Sequence, residues 1–186
     1  MSTWLSIAQP FPVTYNTPQK GMQSPILGVV LHTTNHSAGD ETISRFQSDW
    51  QALQAQSAHF VIDRTGQLGQ CRSLSDVAWH IRGNSTRYIG VEHIAKLDTS
   101  LTDDQVDASA ELLAALNSIL SIPLQAIASP GDSGIGIHVN FSKTNCGRNV
   151  FWLGSDKQVA QFQDILDLAT QYADTSVVDS SVRDSP

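Results

Sequence analysis

The run Ile26-Leu27-Gly28-Val29-Val30-Leu31 leads without a break into His32-Thr33-Thr34-Asn35-His36. A continuous aliphatic run of that length is the signature of a strand covered on both faces, the position that parallel sheets in α/β proteins create. Polar groups gathered where such a strand ends mark the sheet edge at which α/β folds place their chemistry. The remaining pattern has to supply helices for both faces.

It does so in order. Asp40 caps a predicted helix with Ile43, Phe46, Trp50 and Leu53 on one face. Ala58–Asp63 and Leu68–Arg72 read as a hairpin turning at Gly66, Val77–His80 as a short strand or edge segment, and Tyr88–Ile94 as a further strand. Thr102 with Gln105 forms a capping box ahead of Val106, Leu113, Leu116 and Leu120. Residues 128–136 read as a flexible loop leading into Ile137-His138-Val139. Ser155 with Gln158 opens a last helix carrying Val159, Phe162, Leu166 and Ala169. The expected fold is α/β, a mixed central β-sheet flanked by helices. The predicted layout is an extended N-terminal arm over 1–24, one domain over 25–173, and a disordered tail over 174–186.

Composition closes off several functions. The chain has 186 residues, 40% hydrophobic and 16% charged, enough for one core. It contains no run of the ~18–20 apolar residues that span a bilayer. Eleven Lys and Arg stand against eighteen Asp and Glu, a net charge of −7, and the basic residues are scattered. A nucleic-acid partner is therefore excluded and anionic membrane surfaces are disfavoured. The first ten residues lack the basic start and apolar stretch of a Sec signal peptide. Two cysteines, Cys71 and Cys146, form no disulfide framework; one bridge, a metal thiolate and a buried thiol are the alternatives.

Among the six histidines, His32 ends the apolar strand and His138 follows the Gly-rich loop, with Cys146 eight positions on. Two imidazoles and one thiolate make a three-ligand zinc set that leaves a fourth position for water. Glu92, inside Ile89-Gly90-Val91-Glu92-His93, has two readings: a solvent-facing residue of a half-exposed strand, or a general base beside metal-bound water. A cysteine hydrolase with Cys146 as nucleophile is a third, separate reading of the same residues.

Five segments carry a resemblance: Val29–Thr34, Ser57–Gly66, Val77–His80 with Gly83-Asn84, Ile89–Glu92, and Ile137-His138 through Cys146-Gly147. In their order and spacing, over about 26–170, they resemble the zinc-dependent N-acetylmuramoyl-L-alanine amidases. That family shares its fold with peptidoglycan recognition proteins and cuts between the lactyl group of N-acetylmuramic acid and L-alanine of the stem peptide. The resemblance implies a peptidoglycan-recognition-protein-like fold, Zn²⁺ as cofactor, and His32, His138 and Cys146 as its ligands. It implies Glu92 as catalytic glutamate, and Trp79, His80, Asn84 and Lys143 along the substrate groove. His59 matches a family histidine that is not a ligand. His36, His93 and Cys71 receive no role.

The chain departs from the family at two places. Thr144 stands where many catalytic members have Lys, with Lys143 one position earlier, and Ala58 stands where some have Tyr. Thr144 is accordingly assigned either to the oxyanion or to holding the loop. The partners implied are peptidoglycan or muropeptides and, for an injected toxin, an immunity or inhibitor protein; the expected state is a monomer. The protein is expected to be made in the cytoplasm and to act on the wall after non-Sec delivery, or on muropeptides in the cytoplasm. The competing expectation is a recognition module of the same fold that binds peptidoglycan without cutting it.

Overall fold

The structure is a computed structural model, and it describes residues 3–14, 21–22, 25–35, 42–54, 56–96, 99–144, 146, 156–175 and 181–183. Its elements are β1 (Trp4–Leu5), β2 (Gln9–Pro10), β3 (Gly28–Thr33), α1 (Ile43–Leu53), β4 (Phe60–Ile62), β5 (Leu68–Gln70), β6 (Tyr88–His93), α2 (Asp103–Leu120), β7 (Gly134–Ile137), a 3-10 turn (His138–Asn140), α3 (Asp156–Thr175) and β8 (Val182–Arg183). Six strands form one mixed sheet in the order β2-β5-β4-β6-β3-β7. The pairs β4–β6, β6–β3, β3–β7 and β2–β5 are parallel, and β4–β5 is the expected antiparallel hairpin.

Side-chain alternation along the central strands divides the sheet into two faces. Val29 and Leu31 of β3, Ile89 and Val91 of β6, and Ile135 and Ile137 of β7 pack with Leu112, Leu113 and Leu116 of α2 and Ile165, Leu166 and Ala169 of α3. On the other face Ile43, Phe46 and Trp50 of α1 cover Val61, Cys71 and Ile94, while Val30 and Tyr88 pack with Ile81 and Ile127. His32 and Glu92 fall in phase with Val30, Tyr88 and Gly90, so both side chains lie on the face away from α2 and α3. The register makes them direct neighbours, with His32 opposite Glu92.

The capping box of α2 forms as read: Thr102 accepts from the Gln105 N–H and Gln105 accepts from the Thr102 N–H. Other expectations need correction. Thr42, not Asp40, is the N-cap of α1, its hydroxyl accepting from the Arg45 N–H; Asp40 lies outside the described residues. Leu53 is 68% exposed, because ten positions at 100° per residue carry it to the margin of the face that Ile43 and Trp50 define. Val77–His80 forms no ladder; it is tied to Ser57 by the Ser57 N–H donating to the Trp79 carbonyl and the Trp79 N–H donating to the Ser57 hydroxyl. The stretch read as a flexible loop contains the start of β7. Ser155 lies outside the described residues.

At the termini, Trp4-Leu5 pairs antiparallel with Val182-Arg183, so two residues from the stretch read as disordered take strand form. The buried Gln70 amide anchors the N-terminal segment, accepting from the Leu5 N–H and donating to the Thr3 carbonyl.

Candidate metal centre

His32 is the fifth residue of β3 and is almost fully buried. Its Nδ1 lies 3.5 Å from Cys146 Sγ and 3.8 Å from Glu92 Oε1. His138 opens the 3-10 turn that ends β7, the strand on the other side of β3, and its ring stands 4.6 Å from that of His32. Cys146 completes the group from the following loop, its Sγ accepting from the Thr33 N–H at 3.4 Å. One ligand atom from each of His32, His138 and Cys146 lies within 4.8 Å of the others. Two regions far apart in the chain, β3 and the 3-10 turn with the loop after it, therefore converge at one end of the sheet.

The electrostatics of the group favour a cation. Burial, and then the neighbouring His80, His138 and His93, hold His32 well below its ordinary pKa; burial also lowers His138. Both rings are thus neutral and offer lone pairs. Burial raises Glu92 from 4.5 to about 8. Burial, followed by the Glu92 carboxylate, pushes the Cys146 thiol far up. That argues against a free nucleophilic thiolate, which needs a nearby positive charge. Two buried atoms here, Glu92 Oε2 and His138 Nδ1, have no hydrogen-bond partner. Neutral imidazoles, a thiol that ionises only beside a cation and orphaned buried acceptors together fit Zn²⁺.

The groups around the cluster divide clearly. Thr144 Oγ1 accepts from the Cys146 N–H at 3.1 Å, so its own proton remains available to a further acceptor. A cavity of about 390 Å³ holds His32, Glu92, His138, Thr144 and Cys146. It adjoins a cleft of about 840 Å³ that Trp79, Lys143 and His80 line. Trp79 is 47% exposed on its rim. Asn84 is not among the lining residues of either cavity, although Gly83 and Ser85 line the larger one. Arg82, Gln56 and Ser142 also line the cleft; polar residues outside helices and strands carry no periodicity that would have singled them out.

Both ring nitrogens of His80 are engaged inside the protein, with His32 and with the Tyr88 carbonyl. His59 stands outside the ligand group: its Nδ1 accepts from the Gly90 N–H and its Nε2 donates to the Asp76 carbonyl. His93 points to the opposite face, bonding the His32 carbonyl through Nδ1 and contacting Ser109 of α2 through Nε2. Cys71 is a free buried thiol under α1, pushed up to about 12 by burial. His36 lies outside the described residues.

The family model described as N-acetylmuramoyl-L-alanine amidase matches residues 22–149. Among solved structures, the Staphylococcus aureus hydrolase AmiA in complex with its ligand superposes with a TM-score of 0.68 at 14% identity, covering 94% of this chain and 87% of that one. The catalytic domain of XlyA gives 0.64 at 18% identity, covering 85% and 98%. Peptidoglycan recognition protein-LE in complex with tracheal cytotoxin gives 0.60 at 18%, covering 76% and 88%. A search of curated proteins returns no significant match. The structural likenesses establish the shared fold, and the family match, over well more than half of the chain, places this protein in the N-acetylmuramoyl-L-alanine amidase family, enzymes that hydrolyse peptidoglycan amides.

Proposed function

We propose that the protein holds Zn²⁺ on His32, His138 and Cys146 and hydrolyses the amide between the lactyl group of N-acetylmuramic acid and L-alanine of the stem peptide. The convergence of those three side chains beside the Glu92 carboxylate carries the reading. When bound, zinc supplies a Lewis acid that polarises the scissile carbonyl and acidifies water.

The other steps fall to the chain's own groups. Glu92, with Oε2 unpartnered, is placed to take a proton from the attacking water and to return one to the departing amine. Burial raises its pKa to about 8 in the metal-free chain, and Zn²⁺ held beside it would favour the ionised, proton-accepting form. The free proton of the Thr144 hydroxyl is available to the developing oxyanion. Trp79 offers a flat apolar surface and Lys143 a cation along the cleft, with the ring of His80 in its wall, and Asn84 falls in the chain between the lining residues Gly83 and Ser85. The ligands are peptidoglycan or its soluble fragments, and the protein acts as a monomer. The site of action is the cell wall, or muropeptides within the cytoplasm. No helix among the described residues is long and apolar enough to cross a membrane.

The test is digestion of purified Gram-negative sacculi by zinc-loaded protein, with and without chelator, read by mass spectrometry. Stem peptides beginning at L-alanine, abolished by chelator and restored by zinc, are the expected products. Tight pelleting with sacculi and no release would replace hydrolysis by recognition.

A further inference from the structure

Beside the cluster lies one histidine whose hydrogen bonds determine more than its own position. His80 lies against β6 at Gly90, where an added Cβ would stand 2.6 Å from its Cγ and 2.8 Å from its Nδ1. Only a residue without a side chain lets an imidazole lie this close to the strand. From that seat His80 Nε2 reaches the Tyr88 carbonyl at 3.0 Å, and its Nδ1 reaches His32 Nε2 at 3.0 Å.

The proton positions follow from which atoms can donate. A carbonyl oxygen only accepts, so His80 Nε2 carries the proton. A neutral imidazole has one N–H, so His80 Nδ1 is an acceptor. His32 Nε2 must then be the donor in the bond between the two rings, and the lone pair of His32 is left on Nδ1. That is the atom 3.5 Å from Cys146 Sγ.

We infer that His80 is a positioning residue: it relays the polarity of the Tyr88 carbonyl into His32 and holds that ring as the tautomer whose Nδ1 lone pair faces the metal cluster. The other tautomer would set two lone pairs against each other between the rings and point an N–H at the cation. Gly90 is part of the same device, since it supplies the space. Outer partners of this kind change metal affinity by about 10–100-fold.

The inference rests on His32 being a metal ligand, and the experiment separates the two. In the full-length metal-free protein at neutral pH, long-range ¹H–¹⁵N correlation of the imidazoles should show His32 as the Nε2–H tautomer. Finding Nδ1–H would overturn the relay whether or not zinc binds. Zinc affinity, by competition with a chromophoric chelator, should fall about 10–100-fold in His80→Leu. Gly90→Ala should fall comparably, because its Cβ displaces the ring. His80→Gln, whose carbonyl can still accept from His32, should recover most of the loss, and circular dichroism checks that each variant is folded. A folded His80→Leu that binds zinc within twofold of the parent would also overturn the relay. A parent protein that shows the predicted tautomer but binds no zinc would overturn the metal assignment, and with it the relay's purpose, while leaving its hydrogen bonding established.

Discussion

Glu92 is buried enough to be raised to about 8 and still has one oxygen without a partner. A core residue would not keep both properties, because an unsatisfied buried carboxyl costs stability. Replacing it by Gln preserves shape and removes the base. Glu92→Gln should therefore lower stem-peptide release by about 10²–10⁴-fold with zinc stoichiometry unchanged. Activity within a few-fold of the parent would take Glu92 out of the mechanism. His59 gives a different prediction, about stability. Burial first, and then Arg72, depress its pKa from 6.5 to about 4, against the opposing Asp76 carbonyl. A depressed folded pKa means that stability is whole above the unfolded value near 6.5 and is lost as pH falls toward 4. The loss from this residue is at most about 3 kcal/mol. Urea midpoints of the metal-free protein at pH 7 and pH 4 should show it, and His59→Gln should shrink the difference, with His93 and His80 supplying the remainder. An unaltered pH dependence in that variant would show that His59 does not govern it.

Among the elements, β3 has the tightest constraints, because it carries His32 and is paired on both sides. Its partner β7 leads into His138, so the β3–β7 pairing sets the distance between two of the proposed ligands. The pairing begins at Gly28 opposite Gly134, where a Cβ on Gly28 would stand 2.0 Å from the Gly134 carbonyl oxygen. No side-chain rotation relieves a clash with backbone. Gly28→Ala should cost about 2–4 kcal/mol in thermal or urea unfolding and should weaken zinc binding by splaying His138 from His32. A midpoint unchanged from the parent would mean that the strands can separate freely there. α2 poses the opposite case: its cap is local, and Thr102→Ala should remove only about 1 kcal/mol without touching the site.

Across the whole molecule, the three proposed ligands come from β3, the 3-10 turn and the loop at 146, so an ion binding them joins segments about a hundred residues apart in sequence. Such an ion binds the folded chain and not the unfolded one, and mass action raises stability by about 4 kcal/mol at a free concentration a thousandfold above Kd. For a chain of this size that is roughly 8–16 °C in Tm. Melting with zinc and with excess chelator should differ by this order, and Cys146→Ser should shrink the gap. Equal melting temperatures in the two conditions would argue against the three-ligand set.

What the sequence determined by itself was local. The apolar run before His32, the capping box at Thr102 and Gln105, and the hairpin about Gly66 each depend on neighbours a few residues away, and each formed as the pattern required. Even the candidate ligands were legible, as residue types suited to zinc at the ends of readable elements. Periodicity left the direction of Glu92 open, and strand register set that carboxylate opposite His32 on the face that α2 and α3 do not cover. The spacing from His138 singled out Cys146 and left Cys71 without a role; packing put Cys71 beneath α1 and Cys146 against His32. The sequence held the Gly90 that makes room for His80, but its purpose depends on a ring ten residues away in the chain and in contact only once β6 and the preceding loop are folded together. Hydrogen bonds between distant segments have no sequence period, and for that reason the bond that joins His80 to His32 belongs to the tertiary structure alone.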